Sequence, residues 1–483
     1  MIDLRPAGYL VGWLVAVLGA SMMLPLIADL VMGDDQNAGE FSAAAIITIV
    51  AGASTAFACA NSRGKSIGVQ ESFLLATLVW AVFPFFGALP FIMGSPNATF
   101  TDAFFEAMSA LTTTGATVFV GLDDLPAGVL LWRGMLQWFG GLGIIVVAMV
   151  FLPTLRVGGM QIFRSEAFDT MGKMMPRAAE IAFSLTLIYC LMTFFCFMAY
   201  IFTGMEPFDS LVHSLTTIST GGMATTDASF SEYGAATHYV SVVFMILAAL
   251  PFVRFLQIAN GASRPFFRDS QIHGFLLVIG VYTLILSIYY AADAEGGFEP
   301  AFREVIFNVT SIATGTGYSS ADYGSWGPLA LTLFFTIGLI GGCSGSTACS
   351  VKIFRYQLLL SAIAAEVRRV HSPNRVFTPR YAGRRVSDDV MSSVMAFFMF
   401  FYLTLAIVAV LLVLVGLDPV TAISGAATAI ANIGPGLGPE IGPAGNFAGL
   451  PEIAKWILAA AMLLGRLELL SVFVLFTPAF WRG

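Results

Sequence analysis

Asn308-Val-Thr-Ser-Ile-Ala-Thr314-Gly315-Thr316-Gly317-Tyr318-Ser319 is a stretch in which a short apolar segment, begun at Phe302, runs into threonines alternating with glycines. Glycine adopts left-handed dihedrals at no steric cost. Alternating glycines therefore let successive backbone carbonyls turn toward one side. A dehydrated monovalent cation needs several such oxygen ligands, and threonine hydroxyls are candidates to add to them. The same plan occurs three more times. Asp102-Ala-Phe-Phe-Glu-Ala-Met-Ser-Ala-Leu-Thr-Thr113-Thr114-Gly115 is the first copy. Phe208-Asp-Ser-Leu-Val-His-Ser-Leu-Thr-Thr-Ile-Ser-Thr220-Gly221-Gly222 is the second, and Pro419-Val-Thr-Ala-Ile-Ser-Gly-Ala-Ala-Thr-Ala-Ile-Ala-Asn432-Ile433-Gly434 is the fourth. Gly115, Gly222, Gly317 and Gly434 are separated by 107, 95 and 117 residues. A period of about a hundred residues makes the turn part of a repeated unit rather than an isolated loop.

The surroundings of these turns place them in a membrane. Of the 483 residues 57% are hydrophobic and 11% charged, against about 25% charged in soluble domains. That balance excludes a soluble enzyme, a nucleic-acid binder and a disordered chain. The apolar runs are continuous, so they read as helices rather than as barrel strands. Ten spans are expected, near 8–32, 43–60, 71–93, 128–152, 181–203, 237–258, 272–292, 328–355, 388–416 and 453–480. With the N-terminus inside, 19 of the 23 basic residues fall on the inner side, as the positive-inside rule requires. Nineteen of the 30 acids fall on the outer side, where they would draw cations to an outer mouth. Each Thr/Gly turn then lies between two spans, at the end of a short helix entering from outside. Residues 101–113 would make about 20 Å of helix, too short to cross the hydrocarbon core. Non-helical backbone at that depth is tolerated only when buried or water-lined. The negative ends of such helices point inward and favour cations.

These features give an all-α integral membrane protein of about ten transmembrane helices. It is built of four M1–P-loop–M2 repeats around one pore, plus two extra N-terminal helices. The expected units are 1–66 for the N-terminal pair, 67–176 and 177–268 for repeats one and two, 269–385 for repeat three with a broken M2 helix, and 386–483 for repeat four. The five cysteines fit no disulfide framework, and the first apolar run is long enough to span rather than to serve as a signal peptide. The four histidines share no metal-ligand spacing and read as structural or solvated.

Thr113-Thr-Gly115-Ala, Thr220-Gly-Gly222-Met, Thr314-Gly-Thr-Gly317-Tyr-Ser and Asn432-Ile-Gly434-Pro-Gly resemble the four filter sequences of the Trk/Ktr/HKT superfamily of potassium transporters. Gly341-Gly-Cys-Ser-Gly-Ser-Thr347 and Leu464-Gly-Arg466-Leu-Glu468 are similar to two further stretches. The likeness runs from about residue 70 to the C-terminus, and the two extra N-terminal spans make it resemble the TrkH branch. The resemblance implies potassium uptake across a bacterial inner membrane, with both termini cytoplasmic and membrane lipid around a channel-like homodimer. It also implies a separate cytosolic TrkA-type nucleotide-binding regulatory subunit, since this chain has no dinucleotide-binding glycine motif of its own. No cofactor and no nucleic acid enter; potassium is the ligand. The chain departs from the superfamily at Met223, where an aromatic is usual, and at Ala348-Cys349-Ser350, where glycines are usual.

The filter expected from these readings comprises Thr113, Thr114, Gly115, Thr220, Gly221, Gly222, Thr314, Gly315, Thr316, Gly317, Asn432, Ile433 and Gly434. A gate is expected at Gly341, Gly342, Cys343, Ser344, Gly345, Ser346 and Thr347, because three glycines in five residues interrupt the eighth span. Arg466, a lone cation within an apolar run, is expected to lock that loop across the pore; pairing with Glu468 or snorkelling inward are the other arrangements open to it. The basic stretch 366–385 is expected to dock the cytosolic partner. Proton- or sodium-coupled potassium symport is the alternative function. It needs a buried ionisable relay, and Arg466, Glu468 and Lys455 do not resemble one. A membrane-bound enzyme or respiratory subunit would need a haem-binding His pair, a cysteine framework or a buried carboxylate site, and leaves the repeat unexplained.

Overall fold

The computed structural model describes residues 3–62, 68–147, 159–160, 178–290, 297–375 and 377–482. Seven of its helices are long and apolar enough to cross a membrane, from Arg5–Met32 to Asp388–Leu414. Two further spans are bent pairs: Ala235–Ala248 with Phe252–Ala259, at 90°, and Glu452–Arg466 with Leu470–Phe476, at 101°. The end of the expected span 128–152 and the inner basic residues Arg63, Lys65, Arg156, Arg164, Lys173 and Arg177 lie outside the described residues.

The N-terminal hairpin packs backbone on backbone. A Cβ at Gly12 would stand 2.5 Å from Ala56 N, and one at Gly52 would stand 2.5 Å from Ala16 N. Small residues at a helix crossing replace the hydrophobic driving force that lipid removes. The hairpin is fastened to the first repeat by Asp29, fully buried. Its carboxylate accepts from Gly128 N and Asn37 Nδ2, each at 2.5 Å. Gly128 N is an orphan donor of the first turn of Ala127–Val146, and a carboxylate there satisfies it.

Four short helices descend between the spans: Phe100–Leu111, Pro207–Ile218, Phe298–Thr314 and Pro419–Ala431. Thr99 caps the first and Asp418 the fourth through bonds to first-turn N–H groups, while Pro207 and Pro419 sit at positions where a missing N–H costs nothing.

The span 328–355 is broken, as its three glycines led one to expect, and the spans 237–258 and 453–480 are not straight helices either. In the second repeat Pro251 removes a donor and ends Ala235–Ala248. In the third, Pro328–Gly338 gives way to a loop closed by two parallel strands, Ile340–Gly341 and Val351–Lys352, before Ile353–His371 begins. In the fourth, Glu468 and Leu469 take left-handed dihedrals, φ 60° and 50°, and turn the chain. Breaks thus recur in the inner half of the repeats, beneath the ends of the four short helices.

Candidate functional site: a ring of four glycine turns

The four short helices end identically. The N–H groups of Thr114, Gly221, Thr316 and Ile433 donate to carbonyls five residues back, at 2.8, 2.9, 2.9 and 2.9 Å. Those of Thr113, Thr220, Gly315 and Asn432 donate three residues back. The pair of bonds is a Schellman ending, which needs a left-handed residue just past the helix. That residue has φ 51° at Thr113, 51° at Thr220, 77° at Gly315 and 52° at Asn432. The glycine two residues on is also left-handed in three copies: 82° at Gly115, 75° at Gly222 and 86° at Gly317. Threonine in this region costs about 1–2 kcal/mol. Strain of this kind, shared by two copies, persists where surrounding structure over-determines it and clusters at working sites.

The four turns close into a ring. A Cβ at Gly115 would lie 2.1 Å from Gly221 O, one at Gly222 1.8 Å from Thr316 O, one at Gly317 2.9 Å from Gly434 N, and one at Gly434 3.1 Å from Gly115 O. Repeat one therefore touches two, two touches three, three touches four, and four returns to one. Gly115, Gly222, Gly317 and Gly434 together line a single cavity of about 260 Å3. Asp227 and Arg133 stand on its wall. Other acids counted on the outer side are committed to partners: Glu106 to Arg133 and Asp102 to Lys455, at 2.8 and 2.6 Å.

Several expected site residues have a different part from the one their types suggest. The hydroxyl of Thr114 bonds Thr112 Oγ1 at 2.8 Å and receives Asn432 Nδ2 at 3.1 Å. Thr316 and Thr314 make the matching pair at 2.8 Å, and Thr220 Oγ1 donates to Ser219 O at 2.7 Å. These hydroxyls brace the turns. Ile433 is buried and faces Gly338 of the neighbouring span. Gly434 lies outside the left-handed region, so its lack of a side chain serves close approach to Gly115. Gly221 is likewise not left-handed; a Cβ there would fall 2.4 Å from Gln137 Cδ.

Below the ring lies the loop 341–350. Gly341 ends a strand and has the Cys349 carbonyl where a Cβ would go, and Gly342 packs on Ala249. Cys343 N donates to Ala249 O at 3.0 Å, Thr347 Oγ1 to Ala248 O at 3.0 Å, and Phe252 N to Gly345 O at 3.0 Å. Ser344 N donates to Gln271 Oε1 at 2.8 Å and Ser346 Oγ to Cys343 O at 2.7 Å. The groups freed by the break at Pro251 are thus taken up by the loop. Cys349 is within 3.7 Å of Thr113 Oγ1, directly under the ring.

Arg466 donates to Thr347 O at 3.4 Å and to Gly140 O at 3.1 Å, and it also contacts Cys349 Sγ. It joins repeat four to the loop and to repeat one. Glu468 is not its partner: that carboxylate pairs with Arg355, which also stacks 3.8 Å over Phe397. Lys352 and Arg355, counted with the inner basic segment, are buried. Lys455 pairs with Asp102, at the start of the first short helix. The basic stretch beyond them is solvent-facing, with Arg368, Arg369, Arg375, Arg384 and Arg385 all exposed.

Composition and spacing did not single out Gln137, the Glu106–Arg133 pair or the Arg355–Glu468 pair. The available signal was a set of polar side chains inside apolar runs, two of them four residues apart on one helix.

Comparison with known proteins accords with this geometry. The family model for TrkH, described as a cation transport protein, matches residues 38–292 and 297–482. The Trk system potassium uptake protein TrkI of Halomonas elongata is 43% identical over 472 residues, covering 97% of this chain and 95% of that protein. TrkH of Escherichia coli K12 is 36% identical over 482 residues, covering 98% of each. The crystal structure of the potassium transporter TrkH from Vibrio parahaemolyticus superposes with a TM-score of 0.90 at 33% identity, covering all of both chains. The chain therefore belongs to the TrkH family of cation transport proteins, which are transporters and not enzymes.

Proposed function

We propose that this chain takes up potassium through the ring of four turns, in the manner of a channel. The observation that carries the reading is that four equivalent glycines line one cavity while each abuts the next turn's backbone. Such a ring can replace a cation's hydration shell with carbonyl oxygens. The names of the relatives, potassium uptake proteins, support potassium as the ion. The backbone carbonyls of Thr113, Gly115, Thr220, Gly222, Gly315, Gly317 and Gly434 form the filter.

The gate is the loop 341–347, locked by Arg466, whose charge below the ring repels cations until the loop moves. A cytosolic TrkA-type nucleotide-binding subunit docks on the exposed arginines of 366–385 and draws the loop aside. The protein works as a homodimer in the bacterial inner membrane with both termini cytoplasmic. The superfamily resemblance supports the partner and the dimer, and the distribution of basic residues supports the orientation.

The test is the reversal potential in proteoliposomes holding opposed potassium and sodium gradients, with and without a proton gradient. Passive conduction predicts reversal at the potassium equilibrium potential, unmoved by pH. Reversal that tracks the proton or sodium gradient overturns passive flow in favour of coupled symport.

A further inference from the structure

Gln137 and Arg133 stand four residues apart, on one face of the first-repeat helix Ala127–Val146. Both are buried, at 0% and 1% exposure. Both reach out of their own repeat to the second turn. Gln137 Nε2 donates to Gly221 O at 2.7 Å, and Gln137 Oε1 accepts from Met223 N at 3.1 Å. Arg133 Nη1 donates to Ala224 O at 3.0 Å. Three backbone groups, spanning residues 221–224 on either side of Gly222, are therefore held by two side chains of another repeat.

The other end of the clamp is anchored in repeat one. Arg133 Nε pairs with Glu106 Oε1 at 2.8 Å, and Arg133 Nη2 donates to Thr117 Oγ1 at 3.2 Å. Glu106 accepts from Val118 N at 2.9 Å and from Thr117 Oγ1 at 2.9 Å. The carboxylate is itself fully buried. The same ion pair thus fixes the backbone just outside Gly115 and, through the guanidinium, the backbone just outside Gly222.

The third repeat solves the same problem with its own side chain. Tyr318, which follows Gly317, bonds Thr216 Oγ1 and reaches Thr217 Oγ1 at 3.2 Å. Met223, which follows Gly222, has no group that can do this. Gln137 supplies the missing bonds from across the interface, and the absence of a Cβ on Gly221 is what lets its amide lie flush on the turn.

We propose that Gln137 and Arg133, with Glu106, are positioning residues for ion selectivity. They keep turn two from collapsing around an ion too small to reach all the ring's oxygens. This rests on the reading of the ring as a potassium filter. A backbone free to shrink inward coordinates sodium nearly as well as potassium; one tied outward at Gly221 O and Ala224 O does not.

The test uses the full chain in proteoliposomes, with potassium, rubidium and sodium fluxes measured side by side and thermal midpoints recorded in detergent. Gln137→Leu removes both bonds. Gln137→Glu keeps an acceptor for Met223 N–H but loses the donor to Gly221 O. One lost buried hydrogen bond of about 1 kcal/mol corresponds to roughly fivefold in a ratio, so both variants should lower the potassium-to-sodium ratio by about fivefold or more. Arg133→Met should do the same, whereas a purely structural role would lower the thermal midpoint and total flux with the ratio intact. Should Gln137→Leu not fold, Gln137→Glu carries the measurement. A selective parent protein whose folded Gln137 and Arg133 variants keep its ratio overturns this inference and leaves the filter reading standing. An unselective parent protein overturns the filter reading, and this inference with it.

Discussion

Adding one methyl group at each ring glycine should produce a graded series whose order follows from the contacts. In Gly222→Ala the new Cβ arrives 1.8 Å from Thr316 O and 2.7 Å from Thr316 C, on a residue with φ 75°. The left-handed dihedral costs about 1–2 kcal/mol for a residue with a Cβ, and forcing backbone apart in a packed setting adds about 1–3 kcal/mol. The obstacle is a neighbouring carbonyl rather than the end of a flexible side chain, so the third turn must move. Gly115→Ala meets Gly221 O at 2.1 Å with φ 82° and belongs in the same class. Gly317→Ala keeps the dihedral cost, at φ 86°, but its nearest contact is 2.9 Å. Gly434→Ala escapes the dihedral cost and meets its nearest atom at 3.1 Å, which leaves about 1 kcal/mol of overpacking. The expected order of damage is Gly222 and Gly115, then Gly317, then Gly434. It is read as loss of potassium-over-sodium permeability in proteoliposomes and as fall in thermal midpoint. A Gly434→Ala variant damaged as severely as Gly222→Ala would refute the claim that turn-to-turn backbone contact is what these glycines serve.

Three further outcomes are expected. Arg466→Gln should raise basal rubidium uptake in the absence of any regulator, and unchanged uptake by folded protein would remove Arg466 from the gate. Asp102→Asn should leave Lys455 short of its carboxylate; because Lys455 is 5% exposed, the loss should reach about 2 kcal/mol, visible as a lower thermal midpoint that Lys455→Met in the same chain partly restores. Charge reversal at Arg368, Arg369, Arg375, Arg384 and Arg385 should abolish binding of the nucleotide-binding regulator. The parent affinity should fall with added salt, as screening of exposed charges requires; salt-independent binding would place the docking surface elsewhere.

What was legible in the sequence was whatever repeats or accumulates. Continuous apolar runs gave helices, and the recurrence of Thr/Gly turns after short apolar stretches put four helix ends on one axis. The break in the eighth span was legible in its three glycines, whereas the bends in 237–258 and 453–480 were not. Residues 237–258 read as one apolar run, and nothing in the run itself sets the bend at Pro251 to 90°; the bend is stabilised by the loop of another repeat. The turn at Glu468 and Leu469 carries no glycine or proline, so propensity could not announce it. The polar braces were hidden for a related reason. Glu106 and Arg133 counted simply as one outer acid and one interfacial base, because only folding brings residues 27 apart to 2.8 Å. The threonines suggested ion ligands by type; the added part of bracing the turns, through hydroxyls of Thr114, Thr220, Thr314 and Thr316, is visible only in the folded chain.

The loop beneath the ring is held from two sides, and the magnitudes decide which side matters for opening. Toward repeat two it makes backbone bonds from Cys343 N and Thr347 N to Ala249 O and Ala248 O, and accepts Phe252 N at Gly345 O. Each contributes about 1 kcal/mol net. Breaking them strands buried carbonyls at Ala248 and Ala249, which costs more than the bonds themselves are worth. Toward repeat four Ser350 N donates to Ala431 O at 2.9 Å, and Arg466 contacts Cys349 Sγ and reaches Thr347 O at 3.4 Å. That is a long contact, and Arg466 has a second carbonyl at Gly140 to fall back on. Segment 341–347, with four hydrogen bonds to repeat two against one long bond to repeat four, therefore separates more cheaply from repeat four, while Ser350 at the loop's end stays tied to Ala431. In the proposed gate the loop travels with the elbow of repeat two, whose second helix Phe252–Ala259 carries Arg254, paired with Asp269 at 2.7 Å. Arg466 is then the fixed side of the lock, held on repeat four and to Gly140 O while the loop and elbow move away from it together.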